Sequence, residues 1–322
     1  MRRLHASAAF VLLAAVVGAC VGVGASVPPG GSAPSAGPPT RSPSPTDSPT
    51  PTGSAGPSAS AIAHPTGAID LVLRLASDGG FVAPGVLLNR LPQISIYGDG
   101  LVVQPGPQIM IYPGPAVPNL QASRLTLAGL QRLLVAAEAA GLLGPDRNLA
   151  AHGIADAPTA TFTVNAGGAV HRITAEALFE TDSTAGLDAE TIAARKLLRT
   201  FGEQLGNLGD LVGAANIAEV GAYKATAIRL IVSSDSVAPP SPSPLVEPPI
   251  AWPLSTPLAS FGTVLTPASG TGTRCGVVSG ADLAIVGPLL DRSNTLTPWT
   301  SGGESWSIVV RPLLPDESGC RI

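Results

Sequence analysis

The sequence predicts an α+β fold in which antiparallel strands and hairpins pack against a few amphipathic helices. Three observations carry that expectation. Gly98-Asp99-Gly100 separates two alternating apolar runs, and Asp-Gly tolerates the positive φ that tight hairpin turns need. Leu127, Leu130, Leu133, Leu134 and Ala137 recur at helical spacing. Alternating or β-branched runs recur elsewhere, at residues 159–164, 225–232 and 305–311.

The N-terminus is a targeting segment. Arg2 and Arg3 precede an apolar run over residues 8–17, which closes on Val17-Gly18-Ala19-Cys20. A basic start, a short apolar stretch and small residues before a cut site make a secretory signal. The run is too short for a transmembrane helix, which needs about 20 residues. Val17-Gly18-Ala19-Cys20 resembles the lipobox of bacterial lipoproteins. The resemblance implies that residues 1–19 are removed and that Cys20 becomes the N-terminus with diacylglycerol on its thiol. Two acyl chains hold firmly where one holds only marginally. The expected location is extracytoplasmic, lipid-anchored to the cell membrane, and the membrane is the one partner implied.

Residues 20–66 then read as the lipidated cysteine and a disordered tether of Pro, Ser, Thr, Gly and Ala, with almost nothing to bury. At about 3.1 Å per residue such a spacer reaches on the order of 100 Å when extended.

A first α+β module is expected over residues 67–235. Residues 68–75 read as a strand, and residues 93–97 and 101–103 flank the Gly98-Asp99-Gly100 turn. Thr126 is placed to cap the helix that follows, and Gly141 to stop it. Residues 159–164 and 169–173 form a hairpin around Asn165-Ala166-Gly167-Gly168. A second helix starts near Asp188, with Ile192, Leu197, Leu198, Phe201, Leu205 and Leu208 near one face. Residues 225–232 close the module as a strand.

The rest, 236–322, reads as a Pro-rich connection and a C-terminal α+β segment. Ser279 and Asp282 resemble a capping box. Leu283, Val286, Leu289 and Leu290 continue that helix, with Pro288 expected to kink or shorten it. Residues 305–311 form a strand. Both halves thus read strand, long loop, helix, strand, which suggests a degenerate two-fold internal repeat.

Composition narrows the function. Charged residues make up 12% of the chain, net charge is −4, and lysine occurs only at Lys196 and Lys224. This pattern suggests a high-GC genome of actinobacterial type. With no basic stripe, nucleic acid is not an expected partner. With Cys20 lipidated, Cys275 and Cys320 remain as an even pair in an oxidising compartment, and a disulfide is the default reading.

Residues 95–102 (Ser-Ile-Tyr-Gly-Asp-Gly-Leu-Val), together with Asp156-Ala157-Pro158-Thr159, resemble a module of uncharacterised secreted bacterial proteins over roughly residues 67–200. No activity comes with that resemblance. No P-loop, dinucleotide fingerprint or CxxC is present, so no cofactor is expected. Asp99 and Asp156 read as turn and strand-start residues rather than metal ligands. A hydrolase would need His152 or His171 beside a nucleophile and an acid, and no Gly-x-Ser-x-Gly elbow occurs. Glu176, Glu180 and Asp182 are glycosidase acids by type only. Trp252, Trp299 and Trp306 read as plugs of a small core rather than a sugar platform. The expected function is a non-enzymatic binding or envelope-associated module, its protein or carbohydrate partner unspecified. The alternative is a secreted hydrolase with an unrecognised active site.

Overall fold

The computed structural model describes residues 61–82, 84–151, 156–181, 184–234, 247–265 and 272–320. Cys20, the segment 1–19 and the tether up to residue 60 lie outside the described residues, as do His152 and Asp182. The fold is α+β, with two mostly antiparallel sheets and five α-helices among the described residues.

Strand β1 (Leu71–Gly79) is followed by a short helix α1 (Pro84–Asn89) and the hairpin β2 (Ile94–Tyr97) and β3 (Leu101–Pro105). The Gly98-Asp99-Gly100 turn forms as expected. Gly100 takes φ 88°, a left-handed value that side-chain-bearing residues avoid. The Asp99 carboxylate accepts the Leu101 amide at 3.0 Å. Strand β4 (Leu120–Leu125) runs into helix α2 (Leu127–Ala139), where the Thr126 hydroxyl accepts from the Gly129 amide. Strand β5 (Arg147–Leu149) precedes the hairpin β6 (Pro158–Ala166) and β7 (Ala169–Glu176). Helix α3 (Ala189–Leu205) is capped by Asp188, and helix α4 (Leu208–Val212) leads to edge strand β8 (Ile217–Ala222).

These eight strands form one sheet in the order β5-β7-β6-β1-β2-β3-β4-β8. Period-two alternation puts Leu73, Leu75, Ile94, Ile96, Phe162 and Val164 on one face, buried against α2 and α3. The α3 face differs from the sequence expectation at two positions. Leu197 points to solvent, while Arg195 is buried. Arg195 tolerates this because it donates to the Leu149 carbonyl (2.6 Å) and the Glu176 carbonyl (2.8 Å).

The second sheet contains β9 (Ala227–Ser234), β10 (Ile250–Ala251), β11 (Thr263–Val264), β12 (Arg274–Ser279), β13 (Trp299–Ser301) and β14 (Glu304–Pro312), in the order β10-β13-β14-β9-β12-β11. Helix α5 (Gly280–Asp291) covers one face through Val286 and Leu290. Trp252, Trp299 and Trp306 are all buried there, with Trp252 packed edge-on against Phe261 and Trp299.

Two boundaries move, and two features of α5 differ from the sequence expectation. Residues 225–232, assigned to the first module, are the core of β9, an interior strand of the second sheet. The Pro-rich stretch after it looked like a linker by composition, yet it joins two strands of one sheet. Residues 61–66, assigned to the tether, pack onto the fold. Ile62 exchanges two hydrogen bonds with the Gln131 side chain, and the Gly167 amide donates to the Ala63 carbonyl. Ser279 occupies the N-cap position of α5 but makes no side-chain cap bond, because Gly280 turns the chain through φ 52°. Pro288 sits inside α5 without shortening it: Pro288 and Ala284, whose carbonyl loses its partner, both face water.

Each sheet pairs its first strand with the inner member of a hairpin. That inner member is the first hairpin strand in one sheet (β6) and the second in the other (β14). In both sheets the first strand lies between one strand that precedes the helix and one that follows it.

Candidate functional site

The faces of the two sheets not covered by α2, α3 and α5 both contact the C-terminal tail, residues 313–320. Leu314 packs on Tyr97, Val103 and Leu120 of the first sheet, and Cys320 packs with Ile231 and Cys275 of the second. Cys275 and Cys320 stand at disulfide distance, with Sγ atoms 2.00 Å apart and Cα atoms 6.0 Å apart. The pairing expected from the sequence thus clips the tail to β12.

The tail carries Asp316 and Glu317 into a cluster of arginines. The Arg74 guanidinium, on β1, donates to Asp316 Oδ1 (2.7 Å), the Tyr97 hydroxyl (3.2 Å) and Ser95 Oγ (2.9 Å). Tyr97 also donates to Asp316 (2.8 Å). Arg311, on β14, is held by Glu317 through two bonds of 2.5 and 2.7 Å. Arg229, on β9, donates to the Gly319 carbonyl (2.9 Å) and the Leu88 carbonyl (3.3 Å).

Burial and charge act in opposition here. Burial alone disfavours the Arg74 cation, but its bond to Asp316 and the charges of Asp316 outweigh this and hold its pKa above the usual value. Burial and then the neighbouring Arg311 push Arg229 down. Burial would raise the Glu317 carboxyl, yet Arg311 and the Leu314 amide hold it below the ordinary range. Burial, reinforced by Asp316, drives the Tyr97 hydroxyl far up. Tyr97 stays a neutral donor at any physiological pH.

Beside this network a cleft of about 660 Å³ opens over the uncovered face of the first sheet. Its floor is formed by β1, β6 and β7, and its walls by Arg90 and the tail. Arg90 is fixed by donation to the Ser77 and Gly79 carbonyls (3.2 and 2.9 Å). Asp78 accepts from the Thr161 hydroxyl (3.0 Å). The volume lies within the usual range for small-molecule sites.

The residues singled out from sequence lie elsewhere. Asp99 pairs with Arg124 at 2.9 Å, and Asp156 occupies a loop before β6 with φ 62°. No group of three or more His, Cys, Asp or Glu side chains converges among the described residues. His171 has Nδ1 2.7 Å from the Gly144 carbonyl and Nε2 3.3 Å from the Ala166 carbonyl. With both nitrogens against backbone oxygens, it is not placed to take a proton from a nucleophile. Glu180 accepts the Phe179 amide, while the Glu176 backbone carbonyl serves Arg195.

The cleft arginines were missed by the sequence reading, although a signal existed. Arg74, Arg229 and Arg311 each interrupt an apolar strand run. A charge inside such a run must find a partner or a ligand when the strand is buried. No family model, curated protein or solved structure matches the chain.

Proposed function

We propose that this chain is a cell-surface lipoprotein, anchored through Cys20, whose folded part is a non-enzymatic binding module with its ligand seat in the cleft between the sheets. One observation carries the reading. The cleft is built from the interiors of strands, with polar side chains pre-positioned by Asp316, Ser95 and backbone carbonyls. A ligand entering it meets groups that need little reorganisation, and such preorganisation favours binding. His171 is turned into backbone contacts, which disfavours it as the base of a hydrolase, and His152 lies outside the described residues.

Native mass spectrometry of protein purified gently from its own envelope tests this. Ala76 lies on the cleft floor between Arg74 and Asp78, and Ala76→Trp would fill the space. A small-molecule adduct on the wild type that is absent from Ala76→Trp is the expected result. The same adduct on both proteins, or none on either, contradicts the reading.

A further inference from the structure

We propose that the cleft takes a small molecule bearing an oxyanion, a carboxylate or a phosphate, held across the strands by Arg74, Thr163 and Arg172. This rests on the binding-module reading and adds the chemistry of the ligand.

Strand register places three polar side chains in line. Arg74 of β1 is paired with Thr163 of β6, and Thr163 is paired with Arg172 of β7. Directly paired residues project from the same face of a sheet. The three side chains therefore form one row across neighbouring strands, and all three line the cleft. Strands lie about 4.8 Å apart, so the two arginine positions are separated by about 10 Å with a hydroxyl between them. Two guanidiniums flanking a hydroxyl set three donor groups in one row, and several donors on one face are what a planar carboxylate or a tetrahedral phosphate needs.

The donors differ in how far they are engaged. Arg74 is oriented by Ser95, Tyr97 and Asp316. Arg172 is exposed, and only its backbone amide is engaged, by Asp146. Among the described residues, neither the Arg172 guanidinium nor the Thr163 hydroxyl makes a side-chain hydrogen bond. One donor is thus fixed and two are free to close on a guest.

Charge points the same way. The whole chain carries a net charge of −4. The cleft reverses that sign, with five arginines against Asp78, Asp316 and Glu317. Arg90 and Arg229 donate to backbone carbonyls, which orient them without adding a counter-charge. Two positive charges in excess within a concave site focus potential onto an incoming anion. Asp316 already shows that the Arg74 end of the row accepts a carboxylate.

Calorimetric titration of the full-length protein in neutral detergent at low ionic strength tests the assignment, with inorganic phosphate and citrate as probes and sucrose as the neutral control. Binding of at least one anion is expected, while sucrose gives none. Arg172→Glu should weaken that affinity by at least about tenfold, since it replaces a charge-assisted bond with repulsion. Thr163→Val keeps the shape and should weaken it less. Lys224→Glu makes the same charge change outside the cleft and should stay within about twofold of wild type. Because the Arg172 guanidinium is exposed and makes no side-chain hydrogen bond among the described residues, its variant should fold, and circular dichroism checks this. Equal affinity for wild type and Arg172→Glu overturns the proposal, as does no saturable binding of either anion. If the anions fail while the native adduct persists and Ala76→Trp removes it, the ligand class is wrong but the binding-module reading stands.

Discussion

Arg229 and Arg311 face each other as register partners on the antiparallel strands β9 and β14, each only 5% exposed. Like charges directly opposite are destabilising, and burial removes the water that would screen them. The tail answers both. Glu317 grips Arg311 through two bonds, and the Gly319 carbonyl receives Arg229 Nε. The last described residues are therefore the counterpart of an arginine pair set in the second sheet, and Asp316 extends the same network to the first.

Glu317→Gln should be strongly destabilising. It removes the carboxylate that pairs with Arg311 and leaves two buried cations facing each other, and removing one partner of a buried ion pair costs about 3 kcal/mol or more. Asp316→Asn should cost less, because Arg74 retains Ser95 and Tyr97. Urea denaturation of both variants checks the order, and an equal or inverted ranking contradicts it.

The same residue sets an acid limb in the stability profile. The folded-state pKa of Glu317 is depressed by Arg311 and the Leu314 amide against the opposing effect of burial. The unfolded chain thus binds the proton more readily than the folded one. Its stabilising contribution is complete above the ordinary glutamate value of about 4.3 and is lost as pH falls through the lower folded value. Stability measured against pH should fall more steeply below this point in wild type than in Glu317→Gln. Parallel curves would show that the carboxylate is not the group responsible.

Reduction should free the tail. The Cys275–Cys320 bond closes a loop with a sequence separation of 45, and a loop of this size is stabilised by about 4 kcal/mol on the chain-entropy model. Hydrogen exchange after reduction should accelerate first in residues 313–320, ahead of β1 and β6. Uniform acceleration across both sheets would contradict a local role.

Cys20→Ala should shift the protein from the membrane fraction to the soluble one, and the wild-type peptide containing Cys20 should carry the mass of a diacylglyceryl group. Identical fractionation of the two proteins, with an unmodified Cys20 peptide, would sink the anchoring proposal.

Local chemistry was legible in the sequence. The Asp-Gly turn, the Thr126 cap, the helix start near Asp188, the Cys275–Cys320 pair and the burial of the three tryptophans all follow from short-range pattern or composition. Long-range pairing was not. Nothing near residues 225–232 says that this strand joins β12 and β14 rather than the sheet before it. Ile62 is a single apolar residue in a proline-rich stretch, and its two bonds to Gln131 are invisible until α2 is placed. The candidate site has the same property. Arg74, Thr163 and Arg172 come from three strands, and only the register of β1, β6 and β7 makes them a row.

The row itself offers the most direct test. Arginine Nε–Hε resonances report each guanidinium separately, and a phosphate titration followed by nuclear magnetic resonance reads them in the intact chain. Saturable shifts are expected at Arg172 and Arg74, with Arg124 and Arg132 unmoved. Shifts spread evenly over all arginines, or none at Arg172, would contradict an oxyanion seat in this cleft.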